Sequence, residues 1–126
     1  MKRLIVFLVA ALLLPALHSP AMGDGVCTPS GWCRLHFSNF SPVFLYPVDT
    51  FGRFRRYWFR DDSVLNRNLI DCSNGMLSIN EGPMLQLSPR GIDYEIYQSI
   101  CLRQNRFVFP SAPPGGFGAW PPAPPF

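Results

Sequence analysis

NLIDCSNGMLSIN, residues 68–80, decides the fold of this chain, because a Ser-Asn-Gly turn here separates two apolar runs. Asn and Gly both tolerate positive φ angles, so their dipeptide is a strong β-hairpin signal. More strand-like sequence follows as far as residue 109, and one cysteine lies near each end of the region. We therefore predict a β-meander over residues 68–109, closed by a disulfide between Cys72 and Cys101.

Strand signals also occur outside this hairpin. Alternating or β-prone runs predict strands at residues 32–37, 43–48, 53–60, 64–72, 76–80, 84–87, 92–100 and 106–109. Turn residues separate these runs about every ten residues, and no window has a convincing helical period. The sequence therefore predicts an all-β fold: a small antiparallel sandwich, meander or barrel.

The first 23 residues have the parts of a secretory signal peptide. Two basic residues at positions 2 and 3 precede an apolar run at 4–14, and small residues occupy the cleavage positions. The run is too short for a bilayer, which needs about 20 apolar residues. We expect cleavage after Gly23, or alternatively after Ala21, and a secreted, extracellular product. No later stretch is apolar enough to predict a transmembrane segment.

The charge balance changes once this leader is set aside. The whole sequence has a net charge of +3, but residues 24–126 contain nine Arg, no Lys and eight acidic residues, which leaves +1. The basicity of the whole chain is therefore no evidence by itself for binding to nucleic acid.

Four cysteines remain after the leader, and an even number in a small exported chain predicts two disulfides. Three connectivities are possible. We favour Cys72–Cys101 together with Cys27–Cys33, because the second bridge would clamp the irregular start of the domain. Zinc sites need closely paired Cys or His ligands, and these spacings do not provide them.

Residues 110–126 form a separate segment with seven Pro and three Gly among 17 residues. This composition predicts a disordered tail with some polyproline II character. The sequence thus divides into a leader (1–23), a small β-rich disulfide domain (24–109) and this flexible tail. Trp120 and Phe126 are candidate contacts for an extracellular partner.

The domain contains few residues that could act in a catalytic mechanism. Its one histidine, His36, lies in the middle of a predicted strand, and no nucleophile turn of the Gly-x-Ser-x-Gly type is present. Asp93 and Glu95 are two residues apart, but nothing in the sequence suggests a cleft around them. We expect no enzyme activity, no metal and no cofactor. Asn39 begins an Asn-Phe-Ser glycosylation sequon, which Pro42 directly follows.

The run RFRRYWFR at residues 53–60 contains four Arg among four aromatic residues. Such a mixture can stack on bases and neutralise phosphates, or serve another anionic polymer. The alternative is a strand whose aromatics fill the core while Arg stems cover its outer face. If the run is a contact surface, its candidate binding residues are Arg53, Arg55, Arg56, Tyr57, Trp58 and Arg60.

Three motifs resemble a known family: SPVFLYP at 41–47, LIDCSNG at 69–75 and CLRQNRF at 101–107. Together they look like the N-terminal, non-catalytic β-rich region of secreted arthropod proteins of the DNA/RNA non-specific endonuclease family. The family's catalytic Asp-Arg-Gly-His motif has no counterpart, because the Arg-Gly at 90–91 follows a proline and precedes an isoleucine. The resemblance therefore implies a truncated or stand-alone accessory region and transfers no catalytic residue.

Taken together, the sequence predicts a secreted, non-enzymatic binding protein for an unidentified extracellular partner, with residues 53–60 as its contact strand. The alternative is a truncated relative of the nuclease family that retains nucleic-acid binding without catalysis.

Overall fold

The computed structural model describes residues 26–35, 41–102 and 107–126, and the structural statements below concern these residues. They form seven strands and one short helix, α1, which spans Ile92–Tyr97 and continues into a π-helical turn at Gln98–Leu102. The strands are β1 (Val26–Cys27), β2 (Cys33–Leu35), β3 (Val43–Phe51), β4 (Phe54–Arg60), β5 (Leu65–Asp71), β6 (Met76–Ile79) and β7 (Leu85–Gln86).

Each strand pairs antiparallel with the next strand in the sequence, so the sheet is an open meander in the order β1 to β7. The prediction of a mostly β, antiparallel fold is confirmed in its meander form. The predicted sandwich and barrel alternatives are not formed, because the described strands make one sheet that does not close.

The predicted hairpin joins β5 to β6 through residues 72–75. Gly75 adopts a φ of 65°, in the left-handed region that glycine enters without a steric penalty. The Oδ1 atom of Asp71 accepts hydrogen bonds from the backbone N–H groups of Ser73 at 2.9 Å and Asn74 at 3.1 Å. The turn is therefore stabilised by local chemistry that the sequence encodes directly.

One face of the sheet, the helix-side face, packs against α1 and the π-helical turn. Its buried apolar cluster consists of Leu35, Val43, Leu45, Tyr57, Phe59, Ile70, Leu77, Leu87, Ile96 and Ile100. Burying an aliphatic or aromatic side chain of this size contributes about 1.5–3 kcal/mol to folding. This cluster is the main core of the domain.

Both predicted disulfides are confirmed. The bridge between Cys27 and Cys33 links β1 to β2, where the two residues are direct cross-strand partners. The bridge between Cys72 and Cys101 spans 29 residues and ties the β5–β6 turn to the π-helical turn. It therefore holds a helical element against the sheet, whereas strands were predicted at residues 64–72 and 92–100, at or next to the two cysteines.

The predicted strand at residues 92–100 is wrong, because this stretch forms α1 and part of the π-helical turn. Its isoleucines at 92, 96 and 100 are four residues apart, a spacing that fits one face of a strand and also one face of a helix. Ile96 and Ile100 are both buried in the core, so packing selects the helix. The predicted final strand is also absent at residues 107–109.

The Pro-rich segment, residues 110–126, for which the sequence predicts a disordered tail, lies against the sheet in the structure. The backbone N–H of Thr50 donates to the Pro110 carbonyl, and the N–H of Ala112 donates to the Thr50 carbonyl, each at 2.8 Å. These bonds form beyond the part of β3 that pairs with β2, where the β3 backbone is free. The segment then crosses to the face opposite α1, which we call the segment-side face.

Several predictions fall outside the described residues: the leader at 1–23, His36 and the sequon at Asn39. In the part of the chain that is described, no helix is long and apolar enough to cross a membrane.

Candidate binding surface

The alternation of side chains along β4 divides the candidate binding residues between the two faces of the sheet. Arg55 and Tyr57 lie on the helix-side face, where Arg55 Nη1 donates to the Ile100 carbonyl. Arg56, Trp58 and Arg60 lie on the segment-side face, because each contacts a ring of the Pro-rich segment. Spacing along the sequence could not show which of the two faces is available to a partner.

The two helix-side residues have structural roles in this arrangement. Tyr57 is fully buried, and its hydroxyl accepts a hydrogen bond from Asn68 Nδ2 at 3.4 Å. Burial raises the pKa of the Tyr57 phenol well above its ordinary value. The Arg55 guanidinium lies 5.4 Å from the centre of the Phe109 ring. Both side chains therefore hold the sheet to the elements that cover it.

Among the β4 residues of the segment-side face, Arg56 makes the most hydrogen bonds and ring contacts. Its Nε and Nη2 atoms donate to the two carboxylate oxygens of Asp49, each at 2.7 Å. Its Nη1 atom donates to the Gly118 carbonyl at 2.9 Å. The guanidinium carbon also lies 4.7 Å from the ring centres of both Phe117 and Trp120. Arg56 thus binds the backbone and two side chains of the Pro-rich segment at once.

Trp58, two residues further along β4, also contacts the Pro-rich segment. Its ring meets the Trp120 ring edge to face, with 5.5 Å between centroids. Such aromatic pairs contribute about 0.5–1.5 kcal/mol beyond the apolar area they bury. Tyr46 is the direct cross-strand partner of Trp58 on β3, and both therefore lie on the segment-side face.

Arg60 lies at the end of β4, where Phe126 packs. The Arg60 guanidinium is 4.1 Å from the centre of the Phe126 ring, which also meets Phe44 at 4.8 Å and Trp32 at 5.6 Å. The indole N–H of Trp32 donates to the Pro125 carbonyl at 3.1 Å. This end of the surface is therefore an aromatic site with one cation and one hydrogen-bond donor.

Arg53 differs from the other five candidates because it lies in the β3–β4 turn. Its side chain is 52% exposed, and Nε is 3.3 Å from Asp71 Oδ2. The Asp71 side chain is buried, but the exposed Arg53 guanidinium is screened by water, which weakens the pair. Arg53 is the candidate residue that remains most open to solvent in this arrangement.

Most of the positive charge near this face is already balanced by carboxylates. In the described part of the chain, Arg53 pairs with Asp71, Arg56 with Asp49 and Arg67 with Glu81. The Pro-rich segment carries no charged residue. The surface therefore offers aromatic rings, guanidinium faces and hydrogen-bond donors, and Arg34 and Arg60 are its arginines without a carboxylate partner among the described residues.

Sequence reasoning missed half of this surface. Trp120 and Phe126 were recognised as contact residues but assigned to an external partner, whereas they contact this chain's own sheet. Asp49, Trp32 and Phe44 were not recognised at all. Their positions depend on strand register, and no local motif marks them.

The described residues also contain no group of three or more His, Cys, Asp or Glu side chains that could hold a metal ion.

Comparison with known proteins adds no relative from which a function could be transferred. No family model matches the chain, and no curated protein or solved structure matches it either.

Proposed function

We propose that this chain is a secreted, non-enzymatic binding protein whose segment-side face holds extended, proline-rich chains that carry aromatic side chains. The observation that supports this ligand class is the Pro-rich segment itself, which runs along β4 from Arg56 to Arg60. The leader-like start of the sequence and the two disulfides support export to an oxidising compartment.

The hydrogen bonds on this face suit a ligand that is rich in proline. Proline has no backbone N–H, so an extended proline-rich chain presents mainly carbonyl oxygens. The face supplies donors to such oxygens through Arg56 Nη1 and Trp32 Nε1. Aromatic-lined grooves recognise proline-rich peptides in other proteins by the same combination of rings and donors.

The ring contacts determine where a bound proline-rich chain must carry aromatic side chains. A guanidinium over an aromatic ring contributes about 0.5–1 kcal/mol at an exposed site and about 2 kcal/mol where water is excluded. Arg56 and Arg60 each make such contacts, and Trp58 adds an edge-to-face pair between them. A proline-rich chain without aromatic residues would lose all of these ring contacts.

A partner must compete with the chain's own segment for this surface. A tethered segment has an effective concentration on the order of millimolar, so a free peptide binds the intact protein weakly. The test therefore uses full-length protein in which the segment is weakened by Trp120→Ala and Phe126→Ala. A fluorescent peptide with the sequence of residues 113–126 is then titrated and followed by anisotropy.

We expect the weakened variant to bind this peptide about tenfold or more tightly than a control that carries Pro114→Ala and Pro122→Ala at two exposed positions. A peptide with all three of its own rings, Phe117, Trp120 and Phe126, replaced by alanine should not bind. If the weakened variant keeps the native NMR spectrum of the sheet and still fails to bind the peptide, the proposal is wrong.

The alternative function, nucleic-acid binding without catalysis by a relative of the nuclease family, uses the same face differently. It is favoured by Arg60, which has no carboxylate partner in the described part of the chain, and by the aromatic rings beside it. Single-stranded DNA and heparin, titrated against the weakened variant, test it. Binding to DNA that falls steeply with salt, without binding to the peptide, would replace our proposal with this one.

A further inference from the structure

Arg34, Phe44 and Arg60 form a row across three neighbouring strands of the segment-side face. Phe44 on β3 is the direct cross-strand partner of Arg34 on β2 and of Arg60 on β4, and such partners share a face of the sheet. Arg34 is exposed and Arg60 is half-buried. The Phe126 ring packs against Phe44 and lies 4.1 Å from the Arg60 guanidinium. Two cations therefore flank the place where the Pro-rich segment puts an aromatic side chain.

The charges of these two arginines are not balanced. Neither Arg34 nor Arg60 has a carboxylate partner among the described residues, whereas three other arginines on the sheet or its turns do: Arg53, Arg56 and Arg67. The row is therefore the part of the segment-side face that can still attract an anion.

Two acidic residues directly follow Arg60 in the chain, but they do not pair with it. Asp61 Oδ1 accepts hydrogen bonds from the backbone N–H groups of Ser63 and Val64, each at 2.8 Å, so its carboxylate stabilises its own turn. Asp62 is exposed and forms no ion pair with the arginines of the described residues.

The Pro-rich segment does not balance these charges through its side chains, because residues 110–126 include no Asp or Glu. A partner with an acidic residue at this place would make a contact that the segment does not make. Such a contact matters because the partner competes with a tethered segment whose effective concentration is on the order of millimolar. Charge complementarity therefore favours the partner over the segment.

We propose that the partner of this face is a proline-rich chain with an acidic residue directly after the aromatic residue that takes the place of Phe126, and that Arg34 and Arg60 bind its carboxylate. The residue before the ring is already engaged, because the Pro125 carbonyl accepts a hydrogen bond from the Trp32 indole N–H. The residue after the ring is therefore the one open to an acidic side chain. This inference rests on the proposed function and adds the charge of the ligand.

A single acidic residue fits this face better than a polyanion does. The neighbouring arginines of the face, Arg56 and Arg67, are paired with carboxylates that would repel successive phosphates. Non-specific binding of nucleic acid uses a charged groove that follows the backbone over several nucleotides. The row supplies two unbalanced cations and one ring, which match one carboxylate beside one aromatic side chain.

The test titrates two amidated fluorescent peptides against the full-length variant weakened by Trp120→Ala and Phe126→Ala. Both peptides have the sequence of residues 113–126, followed by Glu in one and by Gln in the other. We expect the Glu peptide to bind about fivefold more tightly in about 0.1 M salt, because exposed ion pairs contribute modestly. The difference should nearly vanish in about 1 M salt, where the Debye length is only about 3 Å.

Three further substitutions in the weakened variant assign the effect to the row. Arg34→Gln should reduce the ratio to about twofold or less, because one of the two cations is gone. Arg90→Gln removes the same charge from an exposed residue in the turn before α1 and should leave the ratio unchanged. Arg60→Lys keeps the charge but has no planar guanidinium, so it should weaken both peptides and preserve the ratio.

The possible failures are distinguishable. If neither peptide binds, the proposed function is wrong and this inference is overturned with it. Equal binding of the two peptides leaves the proposed function standing and overturns the inference alone, as does an equal loss of preference in Arg34→Gln and Arg90→Gln. Binding of single-stranded DNA that depends on Arg34, without a preference for the Glu peptide, would assign the row to nucleic acid and also overturn the inference.

Discussion

Arg56 and Asp49 form a buried two-point ion pair across β3 and β4, with both N–O distances at 2.7 Å. The pair depends on an irregularity in β3, where the register shifts between Pro47 and Asp49 and leaves Val48 as an extra residue. Such a bulge reverses the alternation of the residues that follow it. It therefore brings Asp49 to the same face as Arg56, beneath the Pro-rich segment.

Removing the carboxylate of this pair should strongly destabilise the protein. Asp49→Ala leaves the Arg56 charge buried without compensation, and breaking a buried pair in this way typically costs about 3–5 kcal/mol. The free energy of unfolding in urea measures the effect. The matched control is Glu81→Ala, whose pair with Arg67 is largely exposed and should contribute about 0–1 kcal/mol. Equal losses in the two variants would show that the Arg56 pair is not protected from solvent.

Replacing Trp120 by alanine should release the middle of the Pro-rich segment without unfolding the domain. The variant loses the edge-to-face contact with Trp58 and one cation–π contact with Arg56. We expect a local loss of about 1–3 kcal/mol, the sum that such contacts typically contribute. Hydrogen exchange of the Trp58 indole N–H, measured by NMR, should accelerate accordingly. Ala119→Gly, at an exposed neighbouring residue, should leave that exchange rate nearly unchanged.

The two disulfides should differ in their contribution to stability. Chain-entropy estimates give about 3.5 kcal/mol for the 29-residue separation of Cys72 and Cys101, and about 2 kcal/mol for the six-residue separation of Cys27 and Cys33. Replacing each pair by serine and measuring unfolding in urea tests this order. A larger loss from the Cys27–Cys33 replacement would mean that local contacts outweigh chain entropy.

Asp93 and Asp61 should change the pH dependence of stability in opposite directions. Burial raises the pKa of the Asp93 carboxyl above its ordinary value of 3.8. The contribution of Asp93 to folding stability is therefore fully present at pH values below the pKa it has in the unfolded chain. It is lost as the pH rises through the pKa it has in the folded protein. We expect Asp93→Asn to stabilise the protein at neutral pH, with a gain that disappears in acid.

For Asp61 the sign is reversed. Hydrogen bonds from the backbone N–H groups of Ser63 and Val64 lower the pKa of its carboxyl. The contribution of Asp61 to folding stability is present at pH values above the pKa it has in the unfolded chain. It is lost as the pH falls through the pKa it has in the folded protein. Asp61→Asn should therefore destabilise the protein at neutral pH, with the difference shrinking in acid. Urea unfolding of both variants from pH 3 to pH 7 checks the two signs, and parallel profiles would contradict them.

The candidate surface could be predicted only in part. The β-prone run RFRRYWFR correctly predicts a strand here, which is β4. It does not indicate which face meets the helix, because each face carries both aromatic residues and arginines: Arg55, Tyr57 and Phe59 on one, Arg56, Trp58 and Arg60 on the other. Asp49 reaches Arg56 only through the bulge at Val48, and no sequence pattern recognised here marks that bulge.

The sequence by itself determined the antiparallel β-rich character of the domain and the hairpin at Asn74-Gly75, and it favoured the observed pairing of the four cysteines among three possible ones. These features follow from interactions between residues close in the chain or from the small number of possible pairings. Tertiary structure alone decided that residues 92–100 form a helical element and that residues 110–126 lie on the sheet. The isoleucine spacing permits both a strand and a helix. A proline-rich chain lacks most of the backbone N–H groups that regular secondary structure needs, so its own sequence does not fix its conformation. Both outcomes depend on which distant surface is available to bury the side chains.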